Sequence, residues 1–373
     1  MTARLRNAGI AVGLVLLLGV GFFFLRGPKP HIEIKAEKLW SIGGVDITNT
    51  LFTSWIVVIL LIAVAYLASR RLSLVPSGLQ NAVEAVIELL YGLVHSTVGE
   101  RHARRFFPVI ATIFLYVVFA NWFALVPIFN TIGKVEEIGP EDKHFKEEAV
   151  VFKDSGLSLI MPGAKELEFE VDEGPCDGLK GNEHDECLVR QREAAIAAEL
   201  EDEGVGEDET VGVLAPYFRS VNTDLMSPLS LAIASAIFVE YWGISTLGLI
   251  GYGSKFFNFR RLARGDMMGI IDLFVGVLEF IAELARLISF TFRLFGNMLA
   301  GEILLLVMTF LIPLLLALPF YGLELFVGVI QAFVFAMLTL VFGALAVAGH
   351  GEEHAEEAHA AGGAEAVAAH GTE

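Results

Sequence analysis

Glu279–Glu302 reads EFIAELARLISFTFRLFGNMLAGE. The stretch is apolar enough for a membrane interior, yet it holds Glu279, Glu283, Arg286, Arg293, Asn297 and Glu302. A guanidinium at the centre of a spanning helix costs roughly 2.5–3.5 kcal/mol on insertion scales, so ionisable groups there mark function by default. Helical winding sorts these groups by direction. Arg286 and Glu279 fall about 20° and about 40° from Arg293, and Asn297 about 40° from it. Glu302 falls on the opposite side, roughly 13.5 Å further along the axis. Arg293 and Glu302 therefore face different surroundings rather than forming a simple intrahelical ion pair.

The surrounding chain is built to hold such a helix. Of its 373 residues 55% are hydrophobic, and a mean hydropathy of +0.63 belongs to a polytopic membrane protein. Apolar runs near the about 20 residues that cross a bilayer occur at Gly9–Leu25, Leu51–Ala68, Phe106–Phe129, Leu225–Ile250, Met268–Pro313 and Leu314–Gly349. The last two exceed a single crossing and carry charges at depth, so they must tilt, break or lie partly in the membrane plane. The expected fold is an all-α polytopic membrane protein that ends in a long tilted helical hairpin. On the second arm Glu324 and Gln331 are seven residues apart and share a face. With Glu302 on the first arm they make a polar line able to hold water and pass protons along.

The net charge of −18 is concentrated. Thr131–Asp224 carries about 25 acidic against about 9 basic residues, and reads as an extramembrane insertion between two spans. An acidic surface of this kind argues against a nucleic-acid partner. Within it, Lys165–Asp172 alternates as a half-buried strand does, and Glu193–Glu203 is rich in Ala and Glu, as helices are. The chain's two cysteines, Cys176 and Cys187, both lie there. A disulfide closing a short loop suits an oxidising compartment, and two free thiols suit a reducing one. His184 nearby does not complete a zinc set, and no cofactor or metal is expected.

Basic flanks mark the cytoplasmic side of a membrane. Arg70 and Arg71 follow one span, and Arg101, Arg104 and Arg105 precede the next. The segment between them, Pro76–Val98, repeats Leu79, Val83, Val86, Leu90 and Leu93 at helical spacing, with Glu84 and Glu88 on another face. It reads as an amphipathic cytoplasmic helix. Lys255, Arg260, Arg261 and Arg264 mark the cytoplasm again, which puts the insertion outside, in the periplasm of a bacterial cell. The expected segments are then residues 1–30, a signal peptide or signal anchor behind Arg4 and Arg6; 31–130, the first spans with the amphipathic helix; 131–224, the insertion; 225–349, the channel-forming helices; and 350–373, a low-complexity cytoplasmic tail. His350 and His354 in that tail have metal-compatible spacing, but a solvated tail is the better reading.

Five segments carry a resemblance. Ser289–Glu302, SFTFRLFGNMLAGE, looks like the signature of subunit a of F-type ATP synthases. GVIQAFVFAMLTLVF resembles that family's last helix, and VPSGLQNAVEAVIELLYGLV its amphipathic helix. NWFALVP and NTDLMSPLSLAI resemble its middle helices. Together they cover about Leu51–Gly349 apart from the insertion, in the family's order. The resemblance implies that Arg293 is the family's essential arginine at the rotor interface. It implies that Glu302, Glu324, Asn297 and Gln331 line an outer half-channel, and that Glu279, Glu283 and Ser289 line a cytoplasmic one. Many relatives carry His where Glu324 stands. The implied partners are a ring of small proton-binding rotor subunits, the peripheral-stalk subunit b, the rest of the ATP synthase complex and membrane lipid. The implied place is the cell inner membrane. The insertion and the N-terminal apolar run lie outside the common pattern.

A polytopic secondary ion transporter or channel is the alternative, but paired repeats with broken helices are not visible in the sequence. No G-x-x-x-x-G-K-[ST] run is present, so nucleotide chemistry would belong to partner subunits and the chain is not an enzyme by itself. For the cysteines, intact-mass measurement after alkylation without reductant is expected to show no modified thiol; two alkylated cysteines would refute the bridge and weaken the outside placement.

Overall fold

The computed structural model describes Gly13 and residues 35–70, 72–126, 132–137, 149–153, 158–159, 166–167, 174–176, 182–202, 209–256, 268–311 and 317–348. Apart from Gly13, the N-terminal apolar run lies outside these residues, as do Arg260, Arg261, Arg264 and the His350/His354 tail. Five of the described helices are long and apolar enough to cross a membrane: α1 (Asn49–Ser69), α2 (Leu79–Phe123), α4 (Met226–Leu247), α6 (Met268–Leu311, from Leu273) and α7 (Ala317–Val347). The chain is thus an all-α polytopic membrane protein in its spanning part. Two further helices are α3 (Asn182–Asp202) and the short α5 (Leu249–Phe256).

Contacts divide the chain into two compact units. The first takes Met1–Ile59, Phe119–Ser227 and Phe295–Gly328; the second takes Leu60–Val118, Pro228–Leu294 and Val329–Glu373. In the first unit a hairpin, β1 (Lys38–Ile42) and β2 (Val45–Thr48), precedes α1. Its turn places Gly43 at φ 60° and Gly44 at φ 85°, the pair of positive values that a tight two-residue hairpin turn requires. The signal Ile-Gly-Gly-Val was present in the sequence but is not an expectation that apolar periodicity raises. Thr48 then caps α1, its Oγ1 accepting from the Leu51 amide at 3.3 Å. Asn49, fully buried, donates from Nδ2 to Glu37 Oε2 and to the Pro216 carbonyl, each at 3.2 Å.

The insertion folds as a five-stranded antiparallel sheet in the order β5-β3-β7-β4-β6, from β3 (Ile132–Glu137), β4 (Ala149–Lys153), β5 (Ser158–Leu159), β6 (Glu166–Leu167) and β7 (Glu209–Pro216). The strand expected over Lys165–Asp172 is described only at Glu166–Leu167, beside β4. The helix expected at Glu193–Glu203 is described to Asp202, as the second half of α3. A disulfide joins Cys176 to Cys187, with Cα atoms 5.7 Å apart, and ties a 3-10 turn at Gly174–Cys176 to α3.

In the second unit, α2 carries the amphipathic segment and a spanning segment as one element that bends at Gly99 (φ 71°, ψ 170°), a conformation that favours glycine. Past the bend, Phe106 stacks on Trp242 of α4 with ring centroids 3.9 Å apart, and both are buried. Gly343 of α7 admits this pair: a Cβ there would lie 2.7 Å from Trp242 Cε3. Ser235 of α4 and Thr339 of α7 share a buried hydrogen bond of 2.8 Å. Arg286 against Phe342 and Phe290 against Phe335 make α6 and α7 antiparallel neighbours here. Elsewhere α1 leaves Ile59, Ile62 and Tyr66 more than three-fifths exposed, as lipid-facing side chains are.

Removing Phe106 should open the tightest aromatic contact among the described residues of the second unit. Phe106→Ala is expected to cost about 3–5 kcal/mol, read as a lowered melting temperature of the detergent-solubilised protein; an unchanged melting temperature would show that this stack does not hold α2 to α4.

Candidate functional site

The charged stretch is continuous helix. Along α6, Phe290, Thr291, Leu294 and Met298 are buried, whereas Ser289, Phe292, Arg293, Gly296, Asn297 and Ala300 are exposed. Spacings of three and four put the second set on one stripe. Arg293 and Asn297 thus share an outward face with small residues beside them, and Glu302, on the other side of the helix, is half-buried. Glu279 and Glu283 are half-buried too. Gln331 is 4% exposed, so this amide is a core group of α7.

In the first unit the polar groups converge. Arg219, only 5% exposed, donates from Nη1 to the Lys35 carbonyl at 2.7 Å and holds Nε 4.0 Å from Glu302 Oε1. Its backbone amide donates to Thr53 Oγ1 of α1 at 3.4 Å. Glu302 therefore faces a buried cation from the end of the insertion. Glu324 of α7 lies with its carboxylate directly over Gly301, where any Cβ would collide with it. A residue without a side chain thus makes room for a carboxylate between two helices.

Next to these, Asn222 donates from Nδ2 to Asn121 Oδ1 at 2.7 Å, and Asn121 Nδ2 donates to the Gly328 carbonyl at 3.1 Å. Trp122 Nε1 donates to the Leu325 carbonyl at 3.0 Å. The end of α2 is thereby fastened to the backbone of α7 just beyond Glu324. Asn121 and Asn222 are 3% and 1% exposed, and the Asn222 Oδ1 atom has no hydrogen-bond partner among the described residues. In a dry core that is a penalty; in a wetted path it is an acceptor for water.

In the second unit, Arg286 sits 3.6 Å above the Phe342 ring, a cation–π contact that holds the guanidinium against an apolar helix. Glu240 of α4 accepts a hydrogen bond from the Tyr252 hydroxyl of α5 at 3.0 Å. Among the described residues no three His, Cys, Asp or Glu side chains form a metal-ligand group. Arg219, Asn121, Asn222 and Glu240 escape the sequence reading. Glu240, a carboxylate in the apolar run Leu225–Ile250, was visible to the rule that intramembrane charges mark function. Arg219 was hidden among the charges of the insertion.

Long apolar helices that carry glutamates, buried amides and arginines at spanning depth define a membrane protein that handles charge. The model of the family described as the ATP synthase A chain matches residues 51–344, and the chain belongs to that family. Among curated relatives it is 27% identical over 324 residues to the ATP synthase subunit a of Gloeobacter violaceus, covering 87% of this chain and 94% of that one. It is 25% identical over 318 residues to the ATP synthase subunit a of Moorella thermoacetica, covering 85% and 99%.

The contact between Gly301 and Glu324 can be checked without an activity assay. Gly301→Ala is expected to displace the Glu324 carboxylate rather than the helices, so its effect on stability should differ in the Glu324→Ala background, where the displaced group is absent. Thermal unfolding of the two single variants and the double mutant gives the cycle; strictly additive losses would show that the two positions do not touch.

Proposed function

We propose that the chain is the proton-translocating stator subunit of a rotary ATP synthase, and that it offers two offset half-channels to a rotor ring. The observation that carries this reading is the exposed guanidinium of Arg293 on an apolar face of α6, flanked by Gly296, Asn297 and Ala300. An exposed charge on a membrane helix calls for an occupant of that face. A ring of small subunits, each with a membrane carboxylate, is such an occupant. Arg stays protonated at any relevant pH, so it favours the ionised ring carboxylate as that group passes. The ring site must release its proton on one side of Arg293 and reload on the other. Because Arg does not relay protons, it separates the two paths. One charge moved through 100 mV gains about 2.3 kcal/mol, which biases rotation.

In this reading Glu302, Glu324, Asn297 and Gln331 line the outer path, and Arg219, Asn121 and Asn222 join them. The Arg219 cation beside Glu302 and the open acceptor on Asn222 support a hydrated, charge-balanced route there. Glu279, Glu283 and Ser289 line the cytoplasmic path. The protein sits in the cell inner membrane with the insertion in the periplasm, the tail in the cytoplasm, subunit b beside it, and nucleotide chemistry left to the rest of the complex.

Arg293→Ala is expected to abolish ATP-driven proton pumping and coupled ATP synthesis in vesicles while the complex still assembles. Arg293→Lys should fail as well, because a lysine loses the planar fork and is free to lose its proton on burial. Near-normal coupled synthesis by the alanine variant would overturn the assignment.

A further inference from the structure

The second unit contains a cavity of ≈ 40 Å³ lined by Ser235 and Glu240 of α4, Glu283, Arg286 and Phe290 of α6, and Phe342 of α7. That exceeds the about 10–15 Å³ a single water needs, and the lining offers the polar partners that a buried water requires. One wall is fixed by α5. Tyr252 is 3% exposed, its ring is seated on Gly243 where any Cβ would collide, and its hydroxyl donates to Glu240 Oε1 at 3.0 Å. Burial, then the charges of Glu240 and Glu283, push the phenol well above its ordinary range, so Tyr252 remains a donor and never an acid here. A short helix that places a permanent donor on one carboxylate defines the position of that carboxylate.

Among the described residues the cavity is lined by two carboxylates, Glu240 and Glu283, and one cation, Arg286. Tyr252 from α5 and Glu279 from α6 also approach this place. Arg105 of α2 is engaged elsewhere, by Ser245 Oγ and the Tyr241 ring.

We propose that Glu240 is a proton-exchanging group of the cytoplasmic half-channel, placed with Glu283 and Arg286 around a water-holding cavity and fixed by Tyr252. The proposal rests on the stator reading above. In the step, a hydronium ion in the cavity gives its proton to a Glu240 oxygen; the new O–H bond forms as the hydronium O–H breaks, and water remains. The acid then returns the proton to a second water on the way to or from the ring, and the carboxylate is restored. A purely structural Glu240 would need only an acceptor for the Tyr252 hydroxyl. Glutamine supplies that acceptor but does not exchange a proton.

The complete complex in inverted membrane vesicles separates these roles. Passive proton flux through the membrane sector, driven by a potassium diffusion potential, is expected to fall about tenfold or more in Glu240→Gln and to recover largely in Glu240→Asp. Parental flux in Glu240→Gln, or equal loss in the aspartate variant, overturns the proposal. A second arm serves where Glu240→Gln fails to assemble. The native cysteines are bridged, so Ser235→Cys introduces a thiol on the cavity wall, and Ag⁺ added at the cytoplasmic face should block its flux. Flux indifferent to Ag⁺ means a cavity without aqueous access and overturns the proposal by itself. Arg293→Ala in the same vesicles tests the parent reading separately. If that variant loses coupling while Glu240→Gln conducts normally, only the role of Glu240 falls; if Arg293→Ala keeps coupled synthesis, the stator reading falls with it.

Discussion

A guanidinium keeps its proton at every pH a cell reaches, and hydrocarbon offers it no partner. Arg293 stands under that constraint, on a helix long and apolar enough to cross a membrane. Its helix, α6, has 44 residues. At 1.5 Å per residue it is about 66 Å long, roughly twice a bilayer's hydrocarbon core. Arg293 lies well inside this length, and its side chain is on the open side of the helix. The helix is anchored by the opposite side, through Phe290, Leu294 and Met298, and leaves the arginine stripe open. Phe292 and Ile288, both more than half exposed, extend the apolar part of that open surface. An arginine and small residues in the middle of such a surface are unlike the lipid-facing stretch Ile59, Ile62 and Tyr66 of α1.

Close helix contact is the second requirement, and small residues provide it. In membranes, helices associate by packing and interhelical hydrogen bonds rather than by exclusion from water, so glycine at a contact gains what a side chain would block. Gly343 lets Trp242 and Phe106 stack against α7, and Gly243 seats Tyr252. Gly301 does something different: it gives its space to the carboxylate of Glu324. A charged-type side chain is thus accommodated at a helix contact.

The long helices and the intramembrane charges were legible because they rest on local patterns, apolar run length and the rarity of ionisable residues within it. Arg293, Glu302 and Glu324 announce themselves against apolar neighbours. Arg219 does not. It lies among the acidic residues and scattered bases of the insertion, and only the fold brings it to Glu302 from a segment 83 positions away in sequence. Asn121 and Asn222 are ordinary polar residues near helix ends until the chain joins them. Glu240 could have been read from its apolar run; Tyr252, its partner, could not, since a tyrosine near a span end is more often an interfacial anchor. The β1–β2 hairpin was missed for a different reason. Its signal is backbone chemistry at Gly43 and Gly44, which a search for apolar periodicity passes over.

The insertion raises the question of how a family fold tolerates so long an excursion between two spans. Its ends supply the answer. β3 begins at Ile132 and β7 ends at Pro216, and the two strands pair antiparallel with Gly133 opposite Pro216. The Tyr217 amide donates to the Ile132 carbonyl at 3.0 Å, so the chain returns to its point of departure. Gly133 permits the close approach, because a Cβ there would collide with the Ala215 carbonyl. A loop closed at its base leaves the connected elements where a short link would have put them, and lengthening such a loop costs little in closure entropy. The returning strand also contributes directly. The Pro216 carbonyl receives Asn49 at the start of α1, and three residues later Arg219 reaches Glu302. The base of the insertion is therefore part of the charged site, while the remaining strands and the disulfide-tied helix add a domain beyond it.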